Sequence, residues 1–221
     1  MRASSRRPRK VPSPANPSLL AWLAGEPLGA ATVLDIGTGR GALALALAPR
    51  CRRVIGLDRD APAIREATRR AAVSGIDNVE FVVGDAEDLE YAPFAPDLVV
   101  AHLCMSDPIV ERASRGLSPD GVLAFVCFHA DQWCETGRRS RFAYDESQMA
   151  SLLARTGFAV EALEIDREVR KFHTVEEGLA AAVGLEERWR ADGRWFRFIK
   201  FLEEGGRTLT RSHLVVKARR R

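Results

Sequence analysis

Asp35, Asp58 and Asp85 each close a short apolar run, and Gly37, Gly39 and Gly41 alternate directly behind the first of them. Carboxylates so placed accept hydrogen bonds from the hydroxyl and amino groups of a nucleoside. The three glycines free the backbone for left-handed turns and close approach to a ligand, and the alanine- and leucine-rich run behind them opens a helix with unpaired N–H groups. Residues 33–47 therefore read as strand, tight turn and helix around a nucleotide. Gly37-x-Gly39-x-x-Ala42 followed by Asp58 equally satisfies a dinucleotide fingerprint, which leaves the nucleotide open.

Other reactive side chains gather at later strand ends. His102 and His129 close the fourth and fifth apolar runs and are the groups best placed to take a proton. Arg138, Arg139 and Arg141 follow the fifth run, three guanidinium groups in four residues, a set able to clamp a carboxylate or phosphate. His102 with Cys104, and Cys127 with His129, are spaced to share strand faces, but close zinc-like spacing is missing and no metal is expected. Cys51, Cys104, Cys127 and Cys134 form no C-x-x-C pair, so reduced thiols are expected.

The elements that hold these residues alternate regularly. Strands are expected over 33–36, 51–58, 78–85, 95–104 and 122–128, with helices over 59–75, 107–117 and 145–157 between or after them. A short helix over 17–25 precedes the first strand, and residues 207–217 supply a last one. Near-continuous apolar strands separated by helices imply a parallel sheet buried on both faces.

Asp35-x-Gly-x-Gly-x-Gly41, the acid Asp58, the turn Gly84-Asp85-Ala86 and the approach Leu-Ser-Pro-Asp-Gly121 together resemble the class I S-adenosylmethionine (SAM)-dependent methyltransferases. The resemblance runs from about residue 32 to residue 165. It implies an α/β, Rossmann-like three-layer α-β-α sandwich with a seven-stranded sheet, order 3-2-1-4-5-7-6 and strand 7 antiparallel. It also implies SAM contacts from Asp35, Gly37, Thr38, Gly39, Gly41, Asp58, Arg59, Asp85, Ala86 and His102, with Asp58 on the ribose hydroxyls and Asp85 on the adenine amine. An acid beside the turn suits a cationic sulfonium and would repel a pyrophosphate. The Asn/Asp-Pro-Pro-Tyr/Phe motif of amino-group methyltransferases is absent after the fourth strand, where His102-Leu-Cys-Met105 stands instead.

The chain has 221 residues, 46% hydrophobic and 29% charged, with a formal net charge of +3. That suits one soluble α/β domain, and no run is apolar and long enough to cross a bilayer; the cytoplasm is the expected compartment. Residues 1–16, rich in arginine and proline, are expected to be a flexible basic tail, with a single domain over 17–221. Residues 173–206 form a helical insertion in which Arg188–Leu202 interleaves bases with aromatics; Trp195 is a candidate substrate contact there, beside Arg138, Arg139 and Arg141. The expected activity is methyl transfer to a small, anionic acceptor. RNA is the alternative acceptor, and a noncatalytic SAM- or NAD-binding module the alternative class.

Overall fold

The computed structural model describes residues 16–221; the basic tail over residues 1–15 lies outside them. Asn16, counted with that tail by composition, instead caps the first helix, α1 (Pro17–Ala24): its side-chain oxygen accepts from the Ser18 and Leu19 N–H groups. Its amide donates to Asp166, 2.8 Å away and 150 residues on. A proline at the first helical position and an Asn cap set this start.

The chain then alternates as expected, through β1 (Thr32–Ile36), α2 (Ala42–Leu47), β2 (Arg53–Asp58), α3 (Ala61–Val73), β3 (Val79–Val83), β4 (Leu98–His102), α4 (Asp107–Gly116) and β5 (Val122–His129). After β5 come a two-residue strand β6 (Ala143–Tyr144), α5 (Glu146–Arg155), and the long β7 (Phe158–Lys171). The insertion folds into α6 (Val175–Ala181), α7 (Glu186–Asp192) and α8 (Arg194–Glu203), and β8 (Thr208–Arg220) closes the chain. The sheet order is β3-β2-β1-β4-β5-β8-β7 with β8 antiparallel to both neighbours. This is the order the resemblance implied, with one addition: β6 pairs with Phe128 and His129 of β5 and makes the sheet eight-stranded. A two-residue strand leaves no periodicity for the sequence to display.

Strand alternation sends Leu34, Ile36, Val99 and Ala101 to a core shared with α4 and α5, and Val33, Val100 and Val126 to a second core under α1 and α2. A third, aromatic core joins Phe128 and Trp133 to Trp189, Trp195, Phe198 and Leu202 of the insertion. Edge-on pairs, Trp133 to Trp189 at 5.3 Å and Trp189 to Phe198 at 5.4 Å, build it. The insertion is thereby packed against the carboxyl end of β5, beside the strand ends where a ligand belongs in such a sheet.

Candidate active site

The glycine turn between β1 and α2 is held from below. Gly37, Gly39 and Gly41 have φ of 66°, 54° and 76°, which L side chains rarely adopt. The Gly37 and Thr38 N–H groups donate to the Leu57 carbonyl at 2.8 and 3.1 Å, tying the turn to β2. Asp35 Oδ2 accepts from Thr38 Oγ1 at 2.7 Å and from the Ala44 N–H at 3.1 Å. Asp35 is only 1% exposed, and burial pushes its carboxyl up to about 7 against the pull of those two donors. Its Oδ1 accepts from no protein donor among the described residues, which leaves one carboxylate oxygen for a ligand. Asp58 spans the turn from the next strand: Oδ2 accepts from the Gly39 N–H at 2.8 Å and Oδ1 from the Asp60 N–H at 2.9 Å.

These elements open onto a cleft of ≈ 260 Å³. One half is lined by Gly37, Asp58, Arg59, Asp85, Ala86 and Glu87, at the ends of β1 to β3. Arg59 reaches Asp85 across it at 3.7 Å, while Asp85 also accepts from the Glu87 N–H at 2.9 Å. A side chain at Gly39 would meet nothing within 4 Å, so the turn presents bare backbone to open space. The other half is lined by Met105, Ser106, Ile109, Phe128, Arg141, Phe142 and Arg188. Between the halves stand Leu103, whose φ of 59° is a strained value for a non-glycine residue, and Cys104, packed against Gly37. Burial and the nearby Asp58 and Asp35 push the Cys104 thiol up to about 11, and burial raises Cys127 further.

Two expected proton acceptors lie elsewhere. His102 does not line the cleft: alternation puts it on the face of Val100 and Val126, against the second core, where burial lowers its pKa. His129 is 6% exposed, its Nδ1 2.9 Å from Ser212 Oγ and its Nε2 3.4 Å from Glu146. The turn into β6 and α5 covers it, through a strand of two residues too short to show as a periodicity. Nor are His102, Cys104, Cys127 and His129 drawn together; no group of three or more His, Cys, Asp or Glu is arranged for a metal among the described residues.

The arginine triplet divides. Arg138 donates to the Asp192 carbonyl, and Arg139 to the Ala143 carbonyl and Gln148, so both brace the loop. Arg141 alone reaches the cleft. Trp195 is 6% exposed and belongs to the aromatic core, not to the cleft. Arg188 and Ser106 are the functional candidates that sequence reasoning missed. Arg188 stood in the sequence as one base among several in the insertion, and no pattern there singles out Ser106, whose place before α4 only the structure shows.

A sequence profile described as a methyltransferase domain matches residues 29–177, from the approach to β1 into α6. The chain belongs to this methyltransferase family. Its mixed sheet is the fold of an S-adenosylmethionine-dependent methyltransferase from Mesorhizobium loti, with a TM-score of 0.61 at 20% identity over 92% of this chain and 96% of that one. Among solved structures, the YcgJ protein of Bacillus subtilis superimposes with a TM-score of 0.73 at 19% identity, over 92% of this chain and 98% of that one. The mouse (Mus musculus) tRNA (uracil-5-)-methyltransferase homolog A is 44% identical over 61 residues, 28% of this chain and 10% of that protein. The ribosomal protein L11 methyltransferase of Azotobacter vinelandii is 35% identical over 117 residues, 51% of this chain and 39% of that protein. The chain thus matches well under two thirds of the length of either curated relative. No helix among the described residues of the methyltransferase is long and apolar enough to cross a membrane.

Proposed function

We propose that the enzyme methylates a small anionic molecule held in the outer half of the cleft. The observation that supports this is a pair of cations: Arg141 and Arg188 line that half, and neither has a carboxylate partner among the described residues. Most other arginines near the cleft are engaged, Arg59 with Asp85 and Arg112 with Glu90. Two guanidinium groups beside Phe128, Phe142, Met105 and Ile109 suit an acceptor with an apolar or aromatic body and a negative group. The Arg188 guanidinium carbon lies 5.9 Å from the ring centres of both Phe128 and Trp133, within cation–π reach of each.

SAM, when bound, supplies an activated methyl group on a cationic sulfur. The residues of the inner half fit it: bare backbone at Gly39, the free Asp35 Oδ1 for a cationic group, Asp58 for ribose hydroxyls, and Asp85 with the Ala86 backbone for adenine. The chain's task in the transfer is alignment of acceptor and methyl, since the leaving group is already activated.

Titration calorimetry of the protein saturated with S-adenosylhomocysteine tests the reading. Benzoate and benzenesulfonate should bind at least tenfold more tightly than benzamide, and the double variant Arg141→Gln/Arg188→Gln should abolish the preference. Equal binding of all three, or tight binding of mixed tRNA with none of the small anions, would refute it; the latter would support an RNA acceptor.

A further inference from the structure

We propose that the accepting atom is a carboxylate oxygen and that the product is a methyl ester, formed with no base from the protein. The inference rests on the anionic-acceptor reading and narrows it to one functional group.

The first support is the distribution of titratable groups around the cleft. Its acids, Asp58, Asp85 and Glu87, all stand behind β2 and β3, in the half that fits the nucleoside. Among the described residues the outer half has only Cys104 at its border and Cys127, and burial raises the pKa of both thiols. His102 and His129 face other parts of the molecule. An alcohol or phenol must lose its proton as it is methylated, and an ammonium group before it is methylated. Among the described residues, nothing in the outer half is fitted to receive either proton. A carboxylate is already ionised at neutral pH and needs no such partner.

The second support is the hydrogen-bonding complement. Arg141 and Arg188 are donors only. Ser106 adds a hydroxyl: the residue is 6% exposed and lines the same half, and its Oγ has no hydrogen-bond partner. Ser106 precedes α4 as its N-cap, yet its side chain does not cap that helix, so the hydroxyl is left over. An orphaned buried hydroxyl is costly unless a ligand completes it. Two guanidinium groups and one hydroxyl match a group made of lone pairs. They mismatch an amine, whose N–H groups would find Ser106 as their one side-chain acceptor. A carboxylate offers about four lone-pair directions, so the donors can hold it and leave one for the methyl carbon.

The reaction balances without further groups. A carboxylate lone pair forms the new O–C bond, the S–C bond breaks, and its electron pair goes to sulfur, converting the sulfonium to a neutral thioether. One anion and one cation become two neutral products, and no proton is released. Loss of charge in this step is favoured by apolar walls such as Phe128, Phe142, Met105 and Ile109.

The test uses SAM carrying a tritiated methyl group, the full-length enzyme, and a panel of benzoate, phenylacetate, octanoate, phenol and benzylamine. Label should enter at least one carboxylate, leave as volatile methanol on mild alkali, and stay absent from phenol and benzylamine. Binding of that carboxylate to the S-adenosylhomocysteine complex should weaken at least tenfold in Arg188→Gln and three- to tenfold in Ser106→Ala. Arg188→Lys should recover part of the loss, and both variants should bind S-adenosylhomocysteine as the parent does. Label that resists alkali, label on phenol or benzylamine, or no label on any carboxylate overturns the inference. If benzoate and benzenesulfonate nonetheless bind in an Arg188-dependent manner, the anionic-acceptor reading stands and only the ester falls. If no anion binds, both fall.

Discussion

Replacing Asp35 by asparagine should stabilise the ligand-free enzyme at alkaline pH while damaging cofactor binding. The Asp35 carboxyl is buried, and its pKa is raised to about 7. In the unfolded chain it ionises near pH 4. Between those values the folded protein retains a proton that the unfolded chain has released, so stability falls as pH rises through this window and levels off above it. Each pH unit over which one proton is retained is worth about 1.4 kcal/mol, so the penalty above pH 7 is of the order of 4 kcal/mol. Asparagine carries no charge to desolvate. Its single side-chain oxygen can accept from Thr38 Oγ1 and the Ala44 N–H, as Asp35 Oδ2 now does at 2.7 and 3.1 Å. Urea unfolding of parent and variant at pH 5 and pH 8 isolates this group from the other titrations. The variant should exceed the parent by about 2–4 kcal/mol at pH 8, and the gain should shrink by more than half at pH 5. Its affinity for S-adenosylhomocysteine should fall at least tenfold, because Oδ1, which has no protein donor among the described residues and is proposed for a cationic group, becomes an amide nitrogen that cannot accept. A variant less stable than the parent at pH 8, or a gain independent of pH, would refute the reasoning.

Gly41→Ala should destabilise the fold by about 2–4 kcal/mol in urea titration, since φ is 76° and the added methyl would lie 2.8 Å from the Phe81 ring. Trp195→Ala should cost about 3–5 kcal/mol by the same measurement, as expected for truncating a buried aromatic. Because Trp195 lies outside the cleft, its S-adenosylhomocysteine affinity, measured by calorimetry below the unfolding range, should remain within threefold of the parent.

The inner half of the cleft was legible in the sequence because local rules place it. A strand end fixes where Asp35, Asp58 and Asp85 stand, positive φ demands the glycines between them, and a parallel sheet puts all its carboxyl ends on one side. The strand order, β3-β2-β1-β4-β5-β8-β7, is the one the family resemblance implied; consecutive strands are not neighbours at β3 to β4 or β5 to β7, so alternation of strands and helices alone does not give it. His102 failed for a reason of parity. The run 95–104 identified its strand, but the structure ends regular alternation at His102 and inverts the backbone at Leu103. That inversion sends Cys104 to the glycine turn and leaves His102 on the far face.

The outer half depends on contacts that no local pattern encodes. Arg141 and Arg188 are 47 positions apart, and what brings both to one cleft is the aromatic core that docks α7 and α8 against Phe128 and Trp133. The basic-aromatic interleaving of Arg188–Leu202 therefore has two uses. Its aromatics pack inward and fix the insertion, and Arg188 is carried to the cleft as a consequence of that packing. Arg194 shows the other fate: 6% exposed, it pairs with Asp192 and donates to the Arg138 carbonyl at 3.3 Å, tying the insertion to the loop after β5. Arg188 has neither fate: it lines the cleft with Arg141, and neither has a carboxylate partner among the described residues, which is why the two are proposed to meet a ligand.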